Sequence, residues 1–307
     1  LFWVYHNFDF TKVGEVLLHG TNWWWMFFSL LFGVLAQVFR GWRWKQMLEP
    51  LEAFPKRSDC VNAIFISYAA SLIVPRVGEV SRCGVLAKYD NVSFAKSLGT
   101  VVTERLVDTL TILLITGVTV LLQLPIFVTF LQQTGTKIPS LLHLLTSVWF
   151  YIVLFCFIGV GMLLYYLRKT LFFYERVKGF VLNIWEGVMS LKGVRNIPLF
   201  SFYTLAIWGC YFFHFYFTFY CFAFTAHLSI LAALVMFVGG TFAVIVPTPN
   251  GAGPWHFAVI SMMMLYGVNE TDAGIFALIV HGIQTFLVVL LGVYGLAALS
   301  LTNRQRK

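Results

Sequence analysis

Six ionisable side chains crowd two short stretches of an otherwise apolar chain: Arg76, Glu79, Arg82, Glu104, Arg105 and Asp108. Glu104 and Asp108 stand one helical turn apart, Arg105 neighbours Asp108, and Glu79 and Arg82 can share a face. A guanidinium offers a planar fork of donors that matches a phosphate, and helix ends beside a chain break offer further N–H groups to an anion. The set therefore fits docking of a lipid headgroup, with Glu79, Glu104 and Asp108 orienting the arginines or relaying protons. The same charges could equally be ion pairs that pin one helix to the next. Arg40 and Arg43, in Arg40-Gly41-Trp42-Arg43-Trp44-Lys45, form a second group. It reads either as an interfacial anchor at a helix end or as part of headgroup capture. Two late histidines, His256 and His281, are candidates for proton-linked gating, because imidazole titrates at about pH 6.5; the alternative is a pair of hydrogen-bonded core residues.

Those charges are few. Of 307 residues, 59% are hydrophobic and 11% charged, against about 25% charged in an ordinary soluble domain. Aromatics make up 18%, with 32 Phe. Such a chain lacks the polar surface of a soluble enzyme, a nucleic-acid-binding module or a disordered protein, and a polytopic helical membrane protein is expected. The net charge of +8 carries no expectation of nucleic acid. The five cysteines form no CxxC pair and read as small buried hydrophobes. No serine-nucleophile elbow, HExxH, phosphate loop or dinucleotide fingerprint is present, and the histidines lack metal spacing. Neither an enzymatic activity nor a cofactor nor a metal is expected. The apolar start at Leu1–Phe8 reads as the tail of a helix that begins upstream.

A membrane-spanning helix needs about 20 apolar residues, and segments 22–39, 106–124, 144–167, 197–224 and 274–299 qualify. Two apolar stretches are too short or too broken: 61–74, ended at Pro75 and Gly78, and 230–246, ended at Pro247, Pro249, Gly251 and Gly253. Proline and glycine stop helices, and irregular backbone at membrane depth is tolerated only when it is buried in protein or lines a wet cavity. Both stretches read as re-entrant hairpins. That reading places 19 of the 21 Lys and Arg on one side, with Lys12 and Lys137 opposite, a positive-inside pattern that makes the crowded side cytoplasmic. The expected fold is all-α: a single integral membrane domain over 1–307 with two re-entrant broken-helix hairpins in an inverted repeat, the first about 60–124 and the second about 228–300. Segment 171–194, apolar at helical spacing, is expected to lie on the inner leaflet as an interfacial helix.

The motifs together resemble a known family. Arg40 with Arg43-Trp44, Pro75-Arg76-x-Gly78-Glu79-x-x-Arg82, Thr103-Glu104-Arg105-x-x-Asp108 and Pro247-x-Pro249-x-Gly251-x-Gly253 are similar to the lysylphosphatidylglycerol synthase transmembrane region, also called the flippase-like domain family. The resemblance implies a multi-pass protein of the bacterial cytoplasmic (inner) membrane that moves a lipid between leaflets. In fused members an attached soluble domain makes aminoacylated phosphatidylglycerol and this region flips it; without that domain, lysyl transfer is not expected here. The family usually carries glycine where Asn250 stands, often a carboxylate near His256, and commonly an arginine near His281. The implied function is a translocase for a phospholipid, anionic or zwitterionic, or for a polyprenyl-phosphate-linked lipid. A membrane-embedded headgroup transferase or phosphatase, and a membrane subunit partnering a separate synthase, are the alternatives.

Overall fold

The computed structural model describes residues 10–125, 155 and 174–304. The expected span at 144–167 (Phe155 apart), Lys137 and the apolar start at 1–8 lie outside the described residues. Ten α-helices are described: α1 (Thr11–Glu15), α2 (Trp23–Leu48), α3 (Arg57–Ile73), α4 (Val77–Asp90), α5 (Phe94–Leu122), α6 (Tyr174–Met189), α7 (Ile197–Tyr216), α8 (Ile230–Ala243), α9 (Pro254–Leu265) and α10 (Glu270–Arg304). Local chemistry starts them. The side chains of Asn22, Asn196 and Ser229 accept from Trp24, Leu199 and Ala232 N–H, satisfying donors that a helix start leaves unpaired.

Among the described residues, four helical segments are long and apolar enough to cross a membrane: Trp23–Leu51, Phe94–Leu122, Ile197–Cys221 and Glu270–Thr302. They correspond to four of the expected spans, with different ends. The sequence reading stops the first span at Phe39 and starts the next at Leu106, treating the flanking charges as boundaries. Instead α2 continues through Arg40 and Arg43 to Leu48, and α5 begins twelve residues before Leu106. Charges neutralised by one another inside the bundle have no reason to end a helix. Outward, α5 exposes Leu106, Leu110, Leu114 and Leu121, an apolar surface suited to lipid. Its Thr109, Thr111, Thr116 and Thr119 hydroxyls donate back to carbonyls one turn earlier, so none needs water.

The two broken stretches form two helix hairpins. Between α3 and α4 the chain turns at Val74–Arg76, and Arg76 takes a left-handed conformation (φ 65°). Gly78 lies just inside α4, against the Ser67 carbonyl and the Ser71 hydroxyl, where a Cβ would have no room. Leu48, Cys60, Leu86 and Val92 share one buried cluster, so both open ends of this hairpin lie beside the end of α2. Between α8 and α9 the chain passes through Pro247, Pro249, Gly251 and Gly253, with positive φ at Asn250, Gly251 and Gly253. Phe222, Leu228, Val268 and the flanking Leu265 and Tyr266 pack in another cluster, together with Met26 near the start of α2. The second hairpin therefore opens toward the other end of the bundle. Each hairpin also packs against the long helix that follows the other: α3 along α10, and α8 along α5.

Helix α6 docks on α5. Gly99 and Gly187 bring the backbones together, with the Ile184 carbonyl over Gly99 and the Lys96 carbonyl over Gly187. Thr103 donates to the Val188 carbonyl at 3.0 Å, and Lys96 pairs with Glu186 at 2.8 Å. Phe180, Val181, Leu182 and Trp185 are left exposed.

Candidate functional site

Helices α2, α4 and α5 bring five of the candidate charges into one buried cluster. Glu104 is surrounded: Arg82 Nη1 lies 2.8 Å from Oε2, while Arg40 Nη1 and Arg43 Nη2 lie 3.1 and 3.3 Å from Oε1. Asp108, one turn on, accepts from Arg40 at 2.9 Å and Arg43 at 2.6 Å. Arg43 also donates to Thr204 Oγ1 on α7 at 3.2 Å. The Arg82 guanidinium lies 4.7 Å from the Trp44 ring centroid, and the Trp44 indole N–H donates to Thr100 at 2.9 Å. Trp44 is fully buried. The reading of this tryptophan as an interfacial anchor is therefore replaced: its ring is a platform for Arg82. Three guanidinium groups meet two carboxylates, so the cluster carries one formal positive charge in excess.

The remaining three candidates stand apart. Arg105 Nε pairs with Glu79 at 2.9 Å, both half exposed. Arg76, at the turn of the first hairpin, is exposed, and its Nη2 donates to the Ile245 carbonyl at 3.3 Å. That bond joins the turn of one hairpin to the end of α8 in the other. Beside it opens a cavity of about 710 Å³. Arg40, Arg76, Arg105, Glu79 and Asp108 are among its polar lining residues, and Ile112, Leu113, Phe237 and Ile245 among its apolar ones. Arg43, Arg82 and Glu104 do not line it; they are buried.

The histidines hold the second break. His281 Nε2 lies 3.0 Å from the Asn250 carbonyl, and the Asn250 amide donates to Thr285 at 2.7 Å. Gly253 N–H donates to His256 Nδ1 at 3.3 Å, and the two imidazole centroids are 4.6 Å apart. Neither ring lines the cavity, although the adjoining Trp255 and Gln284 do. Gating by these rings would have to act through the backbone of the break.

Residues 1–292 match the lysylphosphatidylglycerol synthase TM region. The chain belongs to that family. No curated protein and no solved structure matches it. The match spans α1 to most of α10 and so includes the charged cluster, the cavity and both breaks. Family membership makes this a multi-pass integral membrane protein of a kind linked to lipid modification. Within the second break, Asn250 adopts φ 52°, a left-handed conformation that glycine enters freely and asparagine more readily than most residues.

Sequence reasoning missed part of the site. Tyr68 and Tyr211, whose hydroxyls meet at 2.6 Å, both line the cavity, as does Trp208. Thr204, Trp208 and Tyr211 recur at helical spacing on α7. A stripe of hydrogen-bonding groups along an apolar span is the signal that would have found them. Among the described residues, no group of three or more His, Cys, Asp and Glu could hold a metal ion.

Proposed function

We propose that this protein is a lipid translocase that moves a phospholipid or polyprenyl-phosphate-linked lipid between leaflets, without enzymatic chemistry of its own. The observation that carries the reading is the cavity of about 710 Å³ whose lining combines three arginines with hydrocarbon side chains. Arg105 is neutralised by Glu79. The buried cluster keeps one positive charge in excess, and among the described residues Arg76 is held only by a carbonyl. The cavity thus favours an anionic phosphate, while the acyl chains remain among apolar side chains.

In the same proposal the two hairpins are re-entrant and form an inverted repeat, over about 60–124 and 228–300 within one membrane domain. Their opposite open ends, reciprocal packing on α10 and α5, and tip-to-tip bond from Arg76 to Ile245 support this. In this reading the open end of the first hairpin faces the cytoplasm and α6 lies on the inner leaflet, supported by the gathering of lysine and arginine at that end. A headgroup phosphate reaching Arg76 brings a full negative charge and can take the guanidinium fork bidentately, where the Ile245 carbonyl is a single uncharged acceptor. It would displace the Ile245 carbonyl and release one hairpin tip from the other. That release exposes the cavity alternately to the two leaflets.

The test is movement of fluorescent phosphatidylglycerol in vesicles containing the full chain. The wild type should exceed protein-free vesicles, and Arg76→Gln should lose at least a tenfold share of that rate. A variant as fast as the wild type would remove Arg76 from the mechanism. A wild type no faster than empty vesicles would favour the reading that the family's name supports, a membrane subunit serving a separate lipid synthase.

A further inference from the structure

Away from the cavity, a groove of about 450 Å³ opens between α2, α3 and α10. It shares no lining residue with the cavity. Its polarity changes along its length. Val34, Val38 and Trp42 recur one turn apart on α2, a distance of about 12 Å from first to last. Antiparallel to them, Phe65, Val61 and Arg57 follow on α3. One end is therefore lined by Val34, Phe65 and Leu291, and the other by Trp42, Arg57 and Ser58. Contact between Gly292 and Ala69, and between Gly295 and the Asn62 carbonyl, fixes α10 in the same register.

A lipid matches this gradient. In a bilayer, an apolar groove facing outward is filled by hydrocarbon, not by water. At the polar end, Arg57 is exposed, Lys56 beside it is exposed, and among the described residues no carboxylate lines the groove. Asp59, two residues after Arg57, is buried and accepts from the Ser58 hydroxyl at 3.0 Å. Arg57 makes no ion pair among the described residues. Trp42 lies less than two turns from the end of α2, at the same end of the groove as Arg57.

We propose that this groove binds one anionic phospholipid as a resident and not as cargo. Its phosphate sits on Arg57, and one acyl chain lies between Val38, Val61 and Phe65. The lipid comes from the leaflet at the basic end of the bundle. It fills the seam between α3, which carries the first hairpin, and α10. This site does not depend on the translocase reading.

Native mass spectrometry of the purified full chain, equilibrated with phosphatidylglycerol or phosphatidylcholine, tests it. The wild type should retain one phosphatidylglycerol with about tenfold preference, the effect of roughly one to two surface charges. Arg57→Glu should abolish that preference, and Val38→Trp, which fills the groove, should lower retention of both lipids. Arg76→Gln, in the cavity, should leave this lipid in place. Wild-type retention in both Arg57→Glu and Val38→Trp would overturn the proposal. So would loss of the lipid in Arg76→Gln, which would put it in the cavity instead.

Discussion

Glu104 and Arg76 stand in the same motif pattern, yet their surroundings give them different work. Glu104 is fully buried and faces three guanidinium groups; Arg76 is exposed and holds one carbonyl. Removing one partner of a buried ion pair leaves uncompensated charge, at about 3–5 kcal/mol. Glu104→Ala should therefore lower the thermal unfolding midpoint sharply, or prevent recovery of folded protein from detergent. Arg76→Gln, at an exposed site, should stay within about 0.5 kcal/mol of the wild type. Equal midpoints for the two variants would mean that the cluster does not hold the bundle together. The spacing of Glu104 and Asp108 makes their shared face legible in the sequence. That Arg40 and Arg43 are their partners is not legible: those residues lie more than sixty positions upstream, and nothing local points to the pairing. The place of Trp44 is illegible for the same reason, since a tryptophan beside arginine looks alike at an interface and under a buried guanidinium.

At the scale of elements, glycine does more than break helices. Pro75 and the Pro247–Gly253 stretch mark turns that the sequence shows plainly, because few other residues so strongly punctuate an apolar run. Gly78 looks like part of such a break, but it lies within α4 and serves close approach to α3. Gly99 and Gly187 carry no local signal at all; their meaning appears only when α6 lies across α5. A side chain at either would meet backbone, which cannot rotate aside, so the helices must separate. Overpacking alone costs about 1–3 kcal/mol. Gly187→Val should raise hydrogen exchange along α6, and break the Lys96–Glu186 and Thr103–Val188 contacts, while amides of α2, α3 and α10 stay protected. Unchanged exchange in α6 would mean that its docking does not depend on this crossing. Helix ends were the least legible feature. The charges near Phe39 and Leu106 look like water-facing boundaries until the partner that neutralises each is known.

For the whole molecule, the arrangement rests on which ends lie together. Asn22 N–H donates to the Cys221 carbonyl at 2.8 Å, and Tyr266 reaches Gln123 at 3.4 Å, so these four positions mark one end of the bundle. Pro50 packs against Gly193 at the other, the end that also carries Lys56, Lys88 and Lys192. The distribution of lysine and arginine foreshadows this in the sequence, because cytoplasmic loops gather positive charge; the meeting of the hairpin tips has no such signal, being a contact between residues 169 apart. If both hairpins are re-entrant, each must return to the side from which it came. Single cysteines at Lys56 and Lys88 flank the first hairpin, and cysteines at His227 and Asn269 flank the second; all four positions are exposed. In a cysteine-free background, a membrane-impermeant maleimide should reach the first pair from one side only and the second pair from the opposite side only. Labelling Lys56 and Lys88 from different sides would turn the first hairpin into a full span. Labelling His227 and Asn269 from different sides would do the same for the second. Either result would end the inverted arrangement, since a single full span reverses every loop that follows it and scatters the lysines and arginines over both faces.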